Sequence, residues 1–301
     1  MKVLVSGSSG LVGSALCKTL NANEEKVVHL VRSGPNGADQ ILWNPEKGSI
    51  DSAAIEGMDG VVHLAGESLA SGRWTHAKKS AILNSRVNGT WLLASALGDA
   101  KNPPEVFVSV SAVGFYGDTG DQVVTEQTPE GKGFLADVCN QWESAAEPAA
   151  RAGIRVVKLR IGIVLSGAGG ALAKMLLPFK MGVGGKIGSG RQYMSWIEID
   201  DLVSVIRFAL RSESESGALE GPVNAASPNP VTNTEFTKTL GKVLSRPTLF
   251  PVPGFALRAM FGEMADAALL SGTRAVPEKL ESAGFKFTYP ELESALRHAL
   301  S

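Results

Sequence analysis

Cysteine is nearly absent from this 301-residue chain: Cys17 and Cys139 stand alone, neither in a C-x-x-C pair. That excludes a disulfide framework and a thiolate zinc site. The four histidines (His29, His63, His76 and His298) show no H-x-x-x-H spacing, so no structural or catalytic metal is expected. There are only three tyrosines, which limits the phenols available for acid–base work. An excess of one charge is lacking as well. The 29 basic and 30 acidic residues leave a formal charge of −1, and no single-sign run is long enough to act as a nucleic-acid or membrane arm. Neither nucleic acid nor membrane is therefore expected as a partner. Residues 156–179, the most apolar long stretch, are interrupted by Lys158, Arg160 and Lys174 and by glycines, and fail as a membrane span. Met1-Lys2 runs straight into a short strand rather than a leader, so a reducing, cytoplasmic setting is expected.

Glycine is what the chain has in quantity, and its placement is informative. "VSGSSGLVGSAL" sets Gly7, Gly10 and Gly13 directly after the apolar run Val3-Leu4-Val5. Further apolar runs at 26–31, 60–64, 106–111 and 155–159 predict strands. Segments 11–20, 77–97 and 138–151 carry apolar residues at three- and four-residue spacing and predict helices. Continuous apolar strands are those covered on both faces, so the fold class is α/β with a doubly wound parallel sheet. After about residue 166 the texture turns glycine-rich and basic. Residues 199–212 then return to an amphipathic helix that Asp200 and Asp201 are placed to cap, and "GPVNAAS" reads as one more strand. The expected division is a dinucleotide-binding domain over 1–165 and 195–226, with a smaller, partly interleaved substrate domain over 166–194 and 227–301.

Without Cβ atoms, glycines at a strand-to-helix junction let backbone N–H groups approach an anion, and the helix N-terminus adds its positive dipole end. The spacing G-x-x-G-x-x-G is a weak signal alone and a strong one at the first βα junction of such a chain. The alternative is a purely structural turn. At the end of the second strand, "VVHLVRSGPNG" offers Arg32 where an acid would accept from the ribose hydroxyls of NAD. Arg32 can pair with a 2′-phosphate instead, which favours NADP(H); a solvated loop arginine is the plainer reading.

With this loop, "VVHLAGES", "VSVSAVGFYG", "GSGRQYMSWIEIDDLV" and "VNAASPNPVTNTEF", the chain resembles an extended short-chain dehydrogenase/reductase of Rossmann type. Within that superfamily it is similar to the atypical epimerase/dehydratase branch whose members are called nucleoside-diphosphate-sugar epimerases or cell-division-inhibitor-like. The resemblance implies that Gly7, Ser9, Gly10, Leu11, Val12 and Gly13 surround the pyrophosphate, with Arg32 at the adenosine phosphate. It implies Leu64, Ala65 and Gly66 beside adenine and ribose, Arg86 where relatives carry an asparagine, and Val164 beside the nicotinamide. Ser111 matches the active-site serine or threonine, whose hydroxyl would donate to a substrate oxygen. Tyr116 is a conceivable proton donor, and Glu67, Lys180, Arg191 and Tyr193 lie in segments that line the substrate side.

One feature of the superfamily is missing. Relatives carry Tyr-x-x-x-Lys one turn apart on a helix, where the lysine lowers the pKa of the phenol. The corresponding helix here reads "FLADVCNQWESAA", which puts Leu135 at the tyrosine and Cys139 at the lysine. Two functions remain in view. One is an NADP(H)-dependent oxidoreductase or epimerase-like enzyme with a non-standard proton donor, acting on a small molecule, with phosphorylated or nucleotide-linked compounds among the options. The other is a catalytically inactive NADP(H)-binding regulatory or interaction protein. Oligomeric state is not legible.

Overall fold

Valine-rich runs become the inner strands of one large sheet because both of their faces can be buried. The computed structural model describes residues 1–211 and 217–301. In chain order its first half runs β1 (Lys2–Ser6), α1 (Leu11–Ala22), β2 (Lys26–Val31), β3 (Gln40–Asn44), β4 (Ser49–Ile50), β5 (Gly60–His63), α2 (His76–Gly98) and β6 (Val106–Ala112). A 3-10 turn over Val113–Tyr116 follows, then β7 (Val123–Val124), α3 (Phe134–Ser144), α4 (Glu147–Arg151) and β8 (Arg155–Ile161). The second half adds β9 (Ile163–Leu165), α5 (Gly170–Lys180), β10 (Tyr193–Met194), β11 (Trp196–Glu198), α6 (Ile199–Leu210), β12 (Gly221–Ala225), β13 (Val231–Thr232) and α7 (Asn233–Leu244). It ends with α8 (Gly254–Phe261), a π-helical turn at Ala265–Leu270, β14 (Arg274–Ala275), α9 (Glu278–Ser282) and α10 (Leu292–Ala299).

The sheet order is β12-β8-β6-β5-β1-β2-β3-β4, parallel throughout except for the edge strand β4. Side chains of β1 alternate as the pleat requires. Val3 and Val5 join Leu16, Leu20, Leu202 and Ile206 under α1 and α6, while Leu4 joins Leu93, Leu97 and Phe107 on the opposite face. A third apolar cluster lies beyond the sheet, where Leu172, Phe179, Trp196, Phe236, Leu240 and Leu296 pack together. Chain order reverses direction between β1 and β5. In open α/β sheets that switch point is where a ligand crevice forms at the carboxyl ends of the strands.

Two expectations need correction. The helix expected over 138–151 is two helices, α3 and α4. Pro148 explains the break: it has no N–H to give, and its ring would clash with the carbonyl of Ser144, the last residue of α3. The cap of α6 is Glu198, not Asp200 or Asp201. Its Oε2 accepts from the amides of Asp200 (2.6 Å) and Asp201 (3.3 Å). Asp201 is instead committed to the amides of Thr288 and Tyr289, and Asp200 to His298. The helix expectation over 199–212 reaches one position outside the described residues, at 212.

His63 closes β5 in full burial. Its Nδ1 lies 2.6 Å from Ser6 Oγ, its Nε2 has no partner, and Trp43 meets it edge-on. Burial lowers its pKa to about 4. Between that value and the ordinary value near 6.5 the unfolded chain takes up a proton that the folded chain refuses, so stability rises with pH across this window. The full contribution is present above the upper value and is lost as pH falls toward the lower one, by about 3 kcal/mol. Urea midpoints measured from neutral pH downward should therefore fall more steeply for the natural chain than for His63→Asn. Parallel curves would remove His63 as the cause.

Candidate functional site

The glycine loop sits at the switch point and is closed against β5. A Cβ on Gly7, whose φ is +68°, would lie 2.9 Å from the amide nitrogen of Ala65. One on Gly13 would lie 2.2 Å from the Gly7 carbonyl oxygen. These two glycines therefore let α1 and the loop after β5 approach as closely as they do. Gly10 caps α1 with an extended backbone, no side-chain cap bond and no acid in the first turn. The first amides of the helix, at Leu11 and Val12, keep the free N–H groups that every helix N-terminus has. Ser9 and Gly10 are exposed beside them. A Cβ on Gly170 would stand 3.1 Å from Leu11 Cδ2 and 3.9 Å from the carbonyl oxygen of Val164 in β9.

Around this loop the chain gathers the next group. Arg32 is exposed at the end of β2, close enough to contribute to the lowered carboxyl pKa of Glu67, whose main cause is its hydrogen bond with Lys78. Leu64, Ala65 and Gly66 follow β5, and the Arg86 guanidinium lies directly over Gly66, at 3.4 Å from where a Cβ would stand. Arg86 Nη1 donates to the carbonyls of Glu67 (3.0 Å) and Ile82 (3.1 Å). Its guanidinium lies 5.0 Å from the Trp142 ring centroid, and burial draws its pKa below the usual arginine value. Arg86 is therefore not an exposed charge on the helix surface.

Leu135 and Cys139 face the 3-10 turn from α3: a Cβ on Gly114 would lie 3.5 Å from Leu135 Cβ and 3.9 Å from Cys139 Sγ. Burial pushes the Cys139 thiol up to about 11, which keeps it protonated and a poor nucleophile. Ser111, only 4% exposed, donates to Glu143 Oε1 at 2.8 Å. Arg160 then holds the same carboxylate with two bonds, Nε to Oε1 at 2.8 Å and Nη2 to Oε2 at 2.9 Å. Its Nη1 donates to the Tyr116 hydroxyl (2.9 Å), which donates to Asn224 Oδ1 (2.8 Å). The backbone N–H of Asn224 donates to Glu126 Oε1 at 2.9 Å. Burial raises the pKa of the Tyr116 phenol, against a smaller pull from Arg160.

Nothing in the sequence alone marks Arg160, Asn224, Glu126 or Glu143 as site residues. An arginine inside the strand "VVKLRIG" comes nearest to a signal, because a charge buried in a parallel strand needs a partner. Tyr116 is held by that network. Tyr193 lies under Arg274, 4.5 Å from ring centroid to guanidinium, and Arg191 is exposed two residues earlier. Lys180 is set apart from the loop group. It lines a cavity of roughly 380 Å3 with Glu198, His298 and Ser301, and no glycine-loop residue lines that cavity. Glu198, Asp200 and His298 there bring metal-ligand atoms within 4.8 Å of one another, a juxtaposition that sequence spacing could not show; Asp200 Oδ2 and His298 Nε2 pair at 2.8 Å.

Above Leu135 the site is roofed by apolar side chains: Trp74, Phe134, Phe261 and Met264 belong to one cluster with it. The roof is tied down by Arg73, which donates to the carbonyls of Ala259 and Met260, and by the Lys79–Glu263 pair at 2.8 Å.

Comparison with known proteins shows the family. Residues 3–225 match the NAD dependent epimerase/dehydratase family, and residues 252–299 match a domain of unknown function. An epimerase family protein of Mycobacterium bovis is 45% identical, over 99% of this chain and 97% of its own. The crystal structure of human epimerase family protein SDR39U1 with NADPH is 35% identical with a TM-score of 0.90, over 100% of this chain and 99% of its own. A nucleoside-diphosphate sugar epimerase from Corynebacterium glutamicum is 36% identical with a TM-score of 0.81, and this chain covers 58% of its length. No helix among the described residues is long and apolar enough to cross a membrane. By match and by architecture, the chain belongs to the NAD dependent epimerase/dehydratase family.

Proposed function

We propose that the chain binds NADP(H) and works as an oxidoreductase or epimerase-like enzyme on a small-molecule substrate, with Arg86 supplying the positive charge that the missing lysine gives in relatives. The carrying observation is the position of Arg86, over Gly66 and the Trp142 ring, on the helix α2 that packs against α3, which carries Cys139. The lysine position of the superfamily is thus filled by a thiol, and the neighbouring helix carries a cation. The glycine cradle fits a dinucleotide: Gly7, Ser9, Gly10, Leu11, Val12 and Gly13 would hold the pyrophosphate and Arg32 a 2′-phosphate. Leu64, Ala65, Gly66 and Val164 would flank the rest. The NADPH bound to the human relative supports this cofactor choice.

When bound, the nicotinamide supplies or accepts a hydride at C4. The chain's own part is to orient and to stabilise charge. Arg86 can meet negative charge developing on a substrate oxygen. Ser111 can donate to that oxygen only by rotating away from Glu143, whose carboxylate stays neutralised by Arg160 during the turn. Tyr116 acts as a positioning residue for Arg160, and Glu67, Arg191 and Tyr193 are the substrate-side candidates. Lys180 would serve only a substrate long enough to reach its cavity.

Fluorescence titration with NADPH and NADH, on the natural chain and on Arg32→Ala, tests the cofactor. A charge-assisted hydrogen bond of about 1.5–3 kcal/mol predicts a roughly 10- to 100-fold loss of NADPH affinity, with NADH little affected. A panel of aldehydes, ketones and quinones then tests the reaction. Arg86→Met should lower kcat strongly, and Arg86→Lys should restore part of it. Equal turnover in Arg86→Met would remove that residue from the mechanism. The inactive, regulatory reading is favoured by one observation, that the Ser111 proton is already given to Glu143. Tight NADPH binding without turnover across the panel would put that reading ahead.

A further inference from the structure

The near-balance of charge over the whole chain conceals a segregation that the fold completes. Residues 167–197 contain Lys174, Lys180, Lys186 and Arg191 and no acid. Residues 236–262 contain Lys238, Lys242, Arg246 and Arg258 and again no acid. These two stretches run side by side. Ile187 and Val252 form a parallel bridge, and Arg246 Nε donates to the Lys180 carbonyl at 3.0 Å. A Cβ on Gly185 would lie 2.0 Å from the Phe250 carbonyl oxygen. All eight cations are exposed. Lys242 and Arg258 are paired with Glu293 and Asp266 from outside the stretches, which leaves a clear positive excess.

The same surface presents bare apolar groups. Leu177, Met181, Leu249, Phe250, Phe255 and Met260 are each 60–76% exposed, and Val183 is 49% exposed. Eleven large hydrophobic residues are exposed among the described residues, and seven of them lie in these two stretches. They stand at the end of α5, in the loop after α7 and along α8, mixed with the cations rather than collected in one dry patch.

We infer that this face docks on the surface of an anionic lipid bilayer. Protruding leucine, methionine and phenylalanine suit the boundary between headgroups and acyl chains, and flexible lysines suit anionic headgroups. Five of the eight cations are lysines, a residue depleted at protein–protein interfaces, which sets the bilayer ahead of an acidic protein partner. The mode is peripheral. It does not conflict with the absence of a spanning helix among the described residues, and it departs from the expectation that a membrane is not a partner.

Sedimentation of the full chain with extruded vesicles tests this. The expected result is binding to phosphatidylcholine vesicles that contain phosphatidylglycerol, little binding to phosphatidylcholine alone, and loss of binding at high salt. Leu249→Ser/Phe250→Ser should weaken partition about tenfold or more, since each substitution removes a large group from the contact. Lys174→Glu/Lys186→Glu should abolish the preference for anionic vesicles. Both pairs are exposed, and an unchanged thermal transition checks that the fold is intact. Failure to sediment with anionic vesicles at low salt overturns the inference. So does a dimer in solution that the Leu249→Ser/Phe250→Ser chain no longer forms, because a second copy would then cover the face.

Discussion

Replacing Arg160 by methionine should cost about 3–5 kcal/mol of folding stability, read as the shift of a urea unfolding transition. Arg160 is 4% exposed and Glu143 8%, so neither is offered much water in place of its partner. The substitution removes both bonds to Glu143 and the donor to Tyr116, and it leaves a carboxylate buried with only Ser111 donating to it. The abandoned charge, more than the lost attraction, sets the size of the effect. One further outcome follows from that account. The double variant Glu143→Leu/Arg160→Met should recover most of the loss, since a pair replaced by apolar groups of similar volume is often near neutral. If the double variant is as unstable as the single, shape rather than charge governs the site.

Gly13→Ala should destabilise the chain and abolish NADPH binding, although alanine normally favours a helix interior by about 1 kcal/mol over glycine. The new methyl would stand 2.2 Å from the Gly7 carbonyl oxygen and 2.8 Å from Ser8 Cα. Both are backbone atoms, so relief requires the loop to move off α1. Overpacking of this kind costs on the order of 1–3 kcal/mol, and the displaced loop loses the cradle as well. Gly10→Ala is the comparison, because its methyl would meet only the Gly7 carbonyl oxygen, at 3.3 Å. Thermal melts and NADPH titrations of the two variants should differ widely, with Gly10→Ala the milder in both. Similar melts for the two would show that the loop yields more easily than its contacts imply.

The parts of this molecule that could be read from the sequence are those fixed by neighbours in the chain. Strands such as 3-4-5 announce themselves because a parallel strand buried on both faces is apolar at every position. The glycine loop is legible because three glycines follow such a strand and precede a helix. The break at Pro148 is equally local but hidden, because the apolar spacing continues across it. The cap of α6 is hidden for a different reason. Three acids stand at 198, 200 and 201, and which of them turns inward is decided by Thr288, Tyr289 and His298, about 90 residues away. The polar network was invisible for the same reason, since Ser111, Tyr116, Glu126, Glu143, Arg160 and Asn224 come from separate elements. The basic texture after residue 166 is legible in the sequence, whereas residues 236–262 join it only when the fold lays one stretch against the other.

The roof over Leu135 also bears on how the chain is made. Trp74, Ile82, Phe134 and Val138 come from the first half of the sequence, whereas Phe261 and Met264 arrive more than 120 residues after Val138. The Arg73 and Lys79 ties span more than 180 residues. Contacts so distant in sequence are slow to form and carry a large loop-closure cost. A ribosome that has produced the chain as far as residue 225 has therefore made the whole large sheet while its apolar cleft is still unroofed. Until the last fifty residues or so emerge, that cleft is a surface for holding chaperones and a hazard for aggregation.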